Sequence, residues 1–570
     1  MQHGPSLRRS LLLVLSMLSA CAAADPSGDA AGYGGDGAPT RRQTISPVPG
    51  FASALLTGRF AAAQSDNDFA AQQFLRALSS DPTNAEIRQQ AFVAALLAGR
   101  PEAARLAQMM PDDQAAQLML GGADARAGRW EQAETRFASM PRQGLTQVLQ
   151  PVLLAWAQAG EGRTEVALAT LATAVDAQRF RALFTLHGAM IADLGKRPAE
   201  AARLYRIAVA EFGGTNLQLA RQVASWQMRQ GYPADAQQTL AVLFEATPEI
   251  AIAGAALEAT ISERQVRNPA DGMAEAYLTL AAALRGQERA AFSLMLSQLA
   301  LDLRPDFTAA RLLVAELHDG RGRQEQALRA LATVAASDPL IAVVRLRQAL
   351  LMDKLGNTTD ALRQIEQLGR DLPKRPEAPT AQGDLLRQKK RYAEAVAAYD
   401  RAITLIPHPP QRANWPLYYS RGIALDRARQ WERAEADLLL ALELQPDQPF
   451  VLNYLGYSWT EQGRNFTRAR QMIERAVQIR PNDGEITDSL GWVLLRQGDV
   501  RGAVKYLERA VELEPEDSTI NGHLGDAYWA AGRKLEARFQ WRRALNLKPE
   551  ADEVPKLQAK LREAGDTTVQ

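Results

Sequence analysis

A spacing of small residues and proline recurs along most of this 570-residue chain. A glycine is followed twelve residues later by alanine, seven residues after that by a second alanine, and five residues further on by proline. Elsewhere proline alone marks the period, at steps of 34 residues. A fixed period of this length predicts one small unit repeated many times, and not a set of independent globular domains. Five stretches share all four positions: Gly58, Ala70, Ala77 and Pro82; Gly383, Ala395, Ala402 and Pro407; Gly422, Ala434, Ala441 and Pro446; Gly491, Ala503, Ala510 and Pro515; Gly525, Ala537, Ala544 and Pro549.

The residue pattern of each repeated unit predicts two helices joined by a short turn. In the last unit, Leu524 and Tyr528 are four residues apart and lie on one apolar stripe with Gly525. The small glycine allows the partner helix to approach closely. Gly532 is suited to end the first helix and Pro549 to stop the second. Because no such pair buries its apolar face alone, neighbouring pairs are expected to stack.

The period and the residues at its fixed positions resemble the tetratricopeptide repeat (TPR). The resemblance covers roughly residues 51–550, or about 14 repeats at this period. It implies an all-α fold in which helix–turn–helix units form a solenoid with a right-handed superhelix. Residues 85–273 are degenerate, and residues 551–564, with a helix beginning near Pro555, are typical of the polar capping helix that such arrays need.

The N-terminus has the features of a secretory signal. Arg8 and Arg9 precede a short apolar run that is too short to span a bilayer. The run ends in Leu18-Ser19-Ala20-Cys21, which resembles the bacterial lipobox. The resemblance implies cleavage before Cys21, lipid on its sulfur, and an acyl chain such as palmitate on its amine. An ordinary cleaved signal is the alternative, but the chain's single cysteine falls at the position that the lipobox requires.

Ala22 follows the cysteine, where inner-membrane lipoproteins usually carry aspartate, so we expect the outer membrane. The next residues are rich in Ala, Gly, Asp, Ser and Pro and cannot bury a core. They predict a flexible tether. The sequence thus divides into a signal peptide (1–20), a lipidated cysteine with a disordered tether (21–50), N-terminal degenerate repeats (51–273), central repeats (274–407), an insertion (408–414), C-terminal regular repeats (415–550), and a capping helix with a tail (551–570).

Composition and motifs exclude several classes of function. Lys and Arg total 66 against 65 for Asp and Glu, so bulk charge does not indicate a nucleic-acid binder. One cysteine and five scattered histidines predict no metal site, and His318 is better explained as a partly buried histidine on an apolar stripe than as a ligand. The chain contains no GxSxG, HExxH or Walker loop. We therefore expect a protein without catalytic residues or cofactors.

The inner face of the solenoid is the surface that the sequence favours for binding. In TPR arrays the first helix of each pair lines this face, and positions one residue beyond the core stripe are turned toward it by about 100°. Trp, Tyr and Arg, which interface hot spots favour, are frequent at these positions in the C-terminal repeats. The alternative for Trp492 and Trp529 is packing between repeats. The predicted groove residues are Tyr419, Asn453, Tyr454, Tyr457, Asp488, Trp492, Arg496, His523, Asp526 and Trp529.

One group of TPR proteins clamps a peptide's C-terminal carboxylate with Lys, Asn and Arg at set groove positions. Here the matching places carry Asn453, Tyr457, Asp488 and Asp526, which does not fit that pattern. We therefore expect the groove to recognise something other than a free C-terminal carboxylate.

The stretches at 453–465, 488–499 and 523–533 resemble large bacterial TPR lipoproteins. The best-understood relatives recruit a carboxyl-terminal processing protease and present cell-wall hydrolases to it. The resemblance implies a periplasm-facing adaptor that binds protein partners, is held at the outer membrane by lipid, and does not bind nucleic acid. A structural role in polysaccharide export or outer-membrane protein assembly is the alternative, an enzyme with an unrecognised site is disfavoured, and homo-oligomerisation stays open.

Overall fold

The computed structural model describes residues 50–175, 180–214, 216–286 and 289–565. The signal peptide, Cys21 and the tether that we predict before residue 50 lie outside the described residues. Within the described ranges, the regular structure consists of 31 α-helices with short 3₁₀ turns. None of these helices combines the length and the apolar character needed to cross a membrane. The predicted all-α class is confirmed.

The contacts divide the chain into two compact units with a boundary at Thr358. The N-terminal unit contains α1 (Phe51–Ala63), α2 (Asn67–Ser80), α3 (Ala85–Leu97), α4 (Glu102–Gln108), α5 (Gln114–Arg126), α6 (Trp130–Ser139), α7 (Thr146–Gly160), α8 (Thr164–Val175), α9 (Arg181–Leu194), α10 (Pro198–Phe212), α11 (Leu217–Arg229), α12 (Pro233–Ala246), α13 (Pro248–Ala251), α14 (Gly254–Ala259), α15 (Pro269–Ala283), α16 (Ala290–Leu303), α17 (Thr308–Asp319), α18 (Gln324–Leu331) and α19 (Ile341–Lys354). The C-terminal unit contains α20 (Thr358–Asp371), α21 (Glu377–Gln388), α22 (Tyr392–Thr404), α23 (Trp415–Arg427), α24 (Trp431–Leu444), α25 (Pro449–Glu461), α26 (Phe466–Ile479), α27 (Gly484–Arg496), α28 (Val500–Leu513), α29 (Ser518–Ala530), α30 (Lys534–Asn546) and α31 (Val554–Glu563).

Helix pairs of the C-terminal unit meet most closely at the recurring glycine. A Cβ atom on Gly491 would lie 2.5 Å from the Leu507 side chain, and one on Gly525 would lie 2.4 Å from the Trp541 ring. Only glycine permits these approaches, because anything larger would push the second helix away. The turn between the two helices also needs glycine, since Gly498 and Gly532 have φ angles of +85° and +79°. The repeated glycines therefore meet two separate backbone requirements: close contact between the paired helices and a positive φ angle in the turn.

An aspartate side chain caps the first helices α27 and α29. Asp483 accepts a hydrogen bond from the Ile486 N–H at 3.1 Å, and Asp517 accepts one from the Ile520 N–H at 2.8 Å. Each aspartate comes two residues after the proline that follows the preceding helix. The proline cannot continue a helix, and the aspartate satisfies an N–H group that the next helix leaves open. Local sequence thus defines where each pair begins.

The N-terminal unit differs from a stack in which each pair contacts only its neighbours. Helices α15 and α16 pack against α3, α5, α7 and α9, which come much earlier in the chain. A Cβ on Gly272 would lie 2.3 Å from the fully buried Trp156 ring, and Tyr277 Oη donates to the Leu118 carbonyl at 3.4 Å. Because α7 and α15 are apolar around most of their circumference, they need partners on several sides. This unit is therefore braced across non-neighbouring repeats.

Overpacking one repeat of the C-terminal unit should destabilise that unit alone. Ala503 in α28 is fully buried, and in the equivalent position of α26 the Ala469 carbonyl lies 3.0 Å from where a Cβ on Gly456 would be. We expect Ala503→Leu to lower the free energy of unfolding of the C-terminal unit by about 1–3 kcal/mol, because the added methyl groups have no space. Hydrogen exchange resolved by residue would measure the loss and its extent.

The matched control is Ala397→Leu, since Ala397 lies exposed in the middle of α22. We expect this control to change the same free energy by less than about 0.5 kcal/mol. Exchange that accelerated as much in residues 51–200 as in the C-terminal unit for Ala503→Leu would contradict the expectation of local coupling.

Candidate protein-binding groove

The first helices of successive pairs carry all ten predicted groove residues. Helices α25, α27 and α29 contact one another in sequence order, and α21 contacts α23 in the same way. Arg496 is exposed and Asp488 is buried, whereas the other predicted residues are partly exposed. We call this set the groove surface: Tyr419, Asn453, Tyr454, Tyr457, Asp488, Trp492, Arg496, His523, Asp526 and Trp529.

Three residues of the groove surface lie close to a fourth, His523. The rings of Trp492 and His523 are stacked, with centroids 4.1 Å apart and an interplanar angle of 17°. His523 Nδ1 lies 2.9 Å from Asp488 Oδ2 and 3.0 Å from Oδ1. The centroid of the Tyr457 ring lies 6.5 Å from that of the His523 ring. We call Tyr457, Asp488, Trp492 and His523 the His523 cluster.

The His523 cluster favours a charged imidazole. Burial disfavours the cation, but the Asp488 carboxylate more than offsets that cost, so the pKa of His523 is raised above its ordinary value. Asp526 acts in the same direction and Lys560 against it. A protonated imidazole stacked on the face of Trp492 is also an electrostatically favourable arrangement. The cluster therefore stabilises the protonated form of His523 between a carboxylate and an aromatic ring.

The His523–Asp488 pair should make stability depend on pH. A histidine with a raised pKa in the folded state contributes stability that is fully present below its unfolded pKa and is lost as pH rises through the folded pKa. We expect the free energy of unfolding to exceed that of His523→Gln by more at about pH 6 than at about pH 9. Urea unfolding of both proteins at the two pH values would measure this difference. An equal difference at both pH values would contradict a charged pair.

Glu461 and Arg496 extend this cluster toward solvent. Trp492 Nε1 donates to Glu461 Oε1 at 2.7 Å, and Arg496 Nη1 lies 3.4 Å from the same oxygen. The Arg496 guanidinium carbon is 5.8 Å from the Trp492 ring centroid. The Trp492 ring is thus held at its edge by Glu461 and on one face by the stacked His523, while part of it stays open to solvent. A side chain held in this way loses little entropy when a partner covers it.

A second aromatic group lies on the neighbouring helices α23 and α25. The Tyr419 and Tyr454 rings meet edge to face with centroids 6.2 Å apart, and Tyr454 Oη donates to Asp426 Oδ2 at 2.8 Å. Beside them, Asn453 Oδ1 is buried and accepts no hydrogen bond from any described residue. Buried acceptors are usually satisfied, so this oxygen could receive a donor that the chain itself does not supply.

The C-terminal end of the groove surface is largely occupied by the chain's own side chains. Asp526 accepts hydrogen bonds from Trp541 Nε1 at 2.9 Å and from Lys560 Nζ of the capping helix α31 at 2.7 Å. Trp529 packs against Trp541 with a centroid distance of 5.4 Å, and Lys534 Nζ lies 3.4 Å from the Trp529 centroid. Trp529 thus packs within the chain, against Trp541 and Lys534, while part of its side chain stays exposed for a partner.

Sequence reasoning missed the partners that fix these residues. Asp426, Glu461 and Lys560 were not among the predicted groove residues, although each holds one of them in place. A signal did exist for the central pair, because Asp488 and His523 lie one repeat and one residue apart. Residues at nearly the same position of successive first helices are neighbours in a stacked array, so opposite charges there predict an ion pair.

In the part of the chain that the structure describes, no three His, Cys, Asp or Glu side chains are grouped so that they could hold a metal ion. His318 is partly buried, and burial lowers its pKa to about 4, with the nearby arginines acting in the same direction. A neutral, partly enclosed imidazole on an apolar helix face agrees with a packing role for this residue.

Three stretches of the chain match the tetratricopeptide repeat family: residues 346–410, 419–484 and 489–551. Tetratricopeptide repeats form this part of the chain. The matched stretches include every residue of the groove surface except Asp488. The helix pairs, the close glycine contacts and the glycine turns described above are the structural form of these repeats.

Proteins with similar sequences share short parts of the chain. The TPR repeat-containing protein PA4667 of Pseudomonas aeruginosa is 33% identical over 91 residues, which make up 16% of this chain and 15% of that protein. The protein O-mannosyl-transferase TMTC1 of Homo sapiens is 24% identical over 174 residues, or 30% of this chain and 20% of that protein. The chain therefore spans no more than a fifth of the length of either of these curated relatives.

Among solved structures, the Cut9–Hcn1 hetero-tetramer of the APC/C has a chain that is 14% identical, with 90% of this chain and 96% of that chain covered and a TM-score of 0.38. Yeast Tom70 is also 14% identical, with coverages of 79% and 95% and a TM-score of 0.35.

Two acids of the groove surface weigh against a clamp for a free C-terminal carboxylate. Asp488 and Asp526 occupy two of the positions where a carboxylate clamp would need donors, and both are paired with cations of the chain itself. Asn453 keeps an amide there, whose Nδ2 is a donor and whose buried Oδ1 is an acceptor. The chemistry on offer is aromatic area flanked by fixed charges.

Proposed function

We propose that this chain is an outer-membrane lipoprotein whose tetratricopeptide repeats bind protein partners in the periplasm. The observation that carries the binding role is the groove surface, where Tyr457 and Trp492 stay partly exposed and where His523 and Glu461 fix the Trp492 ring. Tyrosine, tryptophan and arginine dominate binding energy in protein interfaces, and Arg496 lies exposed beside the two rings. The membrane location follows from the lipobox resemblance around Cys21.

The partner class that we propose is a folded or extended protein segment. The His523 cluster offers flat apolar area, while Glu461 and Arg496 offer opposite charges at its rim. Such a rim selects a segment with complementary charges around an apolar or aromatic anchor. By resemblance, we further propose a periplasmic processing protease and its cell-wall hydrolase substrates as the partners, so that the chain acts as an adaptor.

Affinity capture from envelopes tests the binding role. The lipidated protein and its Tyr457→Ala, Trp492→Ala, Trp529→Ala triple variant would be captured in parallel, and bound proteins identified by mass spectrometry. We expect the triple variant to lose the partners that the unchanged protein retains. The matched control is Phe539→Ala, because Phe539 is 62% exposed on the second helix α30 and lies off the groove surface. Full retention of every partner by the triple variant would overturn the proposal for this surface.

Replacing Cys21 should release the protein from the membrane. Two or more acyl chains anchor a protein firmly, whereas a chain without them has no such attachment. We expect Cys21→Ala to move the protein from the membrane fraction to the soluble fraction, still folded because the repeats do not involve residue 21. Fractionation after a salt wash, with circular dichroism on the released protein, would show both effects.

Ala22→Asp serves as the control for Cys21→Ala, since it keeps the lipidated cysteine and changes only the residue that bacterial sorting reads. We expect this variant to stay membrane-bound but to fractionate with the inner membrane. A Cys21→Ala protein that remained bound after the salt wash would contradict the lipoprotein assignment.

A further inference from the structure

The N-terminal unit contains a cavity of about 180 Å³ lined mainly by arginine and acidic side chains. It lies where α11, the segment between α14 and α15, the end of α16 and the loop before α19 meet. A water molecule occupies roughly 30 Å³ in the liquid, so the cavity has room for a small solute. It is open to solvent at the exposed Arg267 and Asp306 side chains. The charged lining residues are Arg221, Glu263, Arg264, Arg267, Arg304, Asp306 and Asp338.

Two of these arginines have partners that fix them without using all of their donors. Arg264 Nη2 donates to Asp193 Oδ1 at 3.3 Å, and Arg304 Nη1 donates to the Gln265 carbonyl at 3.3 Å. The Nε atom of each is buried and donates no hydrogen bond to a described residue, although Arg304 Nε lies 3.5 Å from Asp306 Oδ1 in an ion pair. Each guanidinium group is therefore held in place with a donor to spare.

Arg221 is the least satisfied of the four arginines. No hydrogen bond or ion pair joins its side chain to any described residue, and its Nε atom is buried. Burial lowers the pKa of Arg221, and the positive charge of Arg304 acts in the same direction. The acids Glu275 and Asp338 act in the opposite direction. Because a guanidinium does not lose its proton in proteins, a buried one needs a counter-charge or hydrogen-bond acceptors.

The acids around the cavity are already engaged or lie outside. Asp338 accepts hydrogen bonds from Thr308 Oγ1 at 2.6 Å and from the Leu340 N–H at 2.8 Å. Glu275 lies buried behind the cavity, where Gln222 donates to it at 3.2 Å. Glu263 has an exposed side chain. The buried, unpaired side-chain atoms of the cavity are therefore donors, whereas the acceptors Glu263 and Asp306 lie at its exposed side.

We propose that this cavity binds a small oxyanion, a phosphate or carboxylate group, through Arg221 with Arg304 and Arg264. Planar guanidinium groups match the oxygens of both anions, and charge-assisted hydrogen bonds to them are among the stronger ones in proteins. The site lies in the N-terminal unit and uses no residue of the groove surface. It does not depend on the proposed adaptor role.

Calorimetric titration of the purified full chain with inorganic phosphate, and separately with succinate, tests the proposal. We expect saturable binding of at least one of them at one site per chain. Arg221→Met should weaken that binding by at least about tenfold, since a hydrogen bond to a charged group is lost. The matched control is Arg206→Met, because Arg206 is an exposed arginine on α10, outside the cavity. Binding of phosphate alone, of succinate alone or of both identifies the preferred oxyanion and supports the site.

Melting temperatures separate a binding role from a structural one. Without anion, Arg221→Met should be at least as stable as the unchanged protein, since it removes a poorly compensated buried charge. Added phosphate or succinate should raise the melting temperature of the unchanged protein and of Arg206→Met, but not of Arg221→Met. No binding of either anion to the unchanged protein, or equal binding by Arg221→Met, would overturn the proposal.

Arg267→Gln keeps the test decisive if Arg221→Met fails to fold. The Arg267 side chain is 57% exposed at the opening of the cavity, so its replacement should leave the fold intact. We expect it to weaken anion binding by a smaller factor than the loss of Arg221, because water screens its charge. Undiminished binding by Arg267→Gln would then overturn the site. Partner capture by the groove surface is measured separately and should be unchanged in all of these variants.

Discussion

Replacing Trp459 with alanine should lower the free energy of unfolding of the C-terminal unit by about 3–5 kcal/mol. The side chain is only 1% exposed in α25, and its Nε1 donates to Glu435 Oε1 at 2.5 Å. Truncation leaves a cavity between repeats and removes the partner of a part-buried carboxylate, and both effects destabilise. Hydrogen exchange of the C-terminal unit would give the free energy for the unchanged and altered proteins.

Trp492→Ala is the comparison for Trp459→Ala, because Trp492 occupies the following first helix but is partly exposed. We expect a clearly smaller loss of stability there, since less apolar area leaves the core. Equal losses at the two positions would show that Trp492 is a packing residue like Trp459.

Trp492→Ala should weaken the binding of a captured protein partner by about 2 kcal/mol or more, which is roughly 30-fold in the dissociation constant. The ring is held by the stacked His523 and by Glu461, so it offers rigid contact area at low entropic cost. Surface plasmon resonance with a partner identified by capture would measure the change.

The control for the affinity measurement is again Phe539→Ala, which removes an exposed ring of the C-terminal unit from a helix outside the groove surface. We expect the partner's affinity for this control to stay within about a factor of two. A partner that bound Trp492→Ala as tightly as the unchanged protein would exclude Trp492 as an anchor, whatever the stability of the variant.

The regular repeats were predictable because their constraints are local and recur. The glycines at 491 and 525 and the alanine at 503 each sit at a contact that a larger residue would break, so their spacing carries the geometry of the helix pair. The last helix was also predictable, since Pro555 falls in the first turn of α31. Residue types that only one backbone arrangement tolerates make a fold readable from sequence.

Contacts between residues far apart in the chain produce no comparable repeated pattern in the sequence. Nothing periodic links Trp156 to Gly272, and the packing of α15 on α7 follows from apolar surface that either helix could have placed elsewhere. Arg221 resembles any charged residue on an amphipathic helix until Glu275 and Arg304 are brought beside it. At the groove, the residue types indicated a binding surface, whereas the ion pairs that orient them depend on the stacking of particular repeats.

The bracing of the N-terminal unit has a consequence for how this chain is made. Tyr277 closes on the Leu118 carbonyl, a separation of 159 residues, so the apolar sides of the early helices stay uncovered until α15 has been synthesised. Until α15 can dock, the exposed apolar helices can associate wrongly. We expect the nascent N-terminal half to require a holding chaperone, whereas each regular pair of the C-terminal unit can dock as soon as its predecessor has formed.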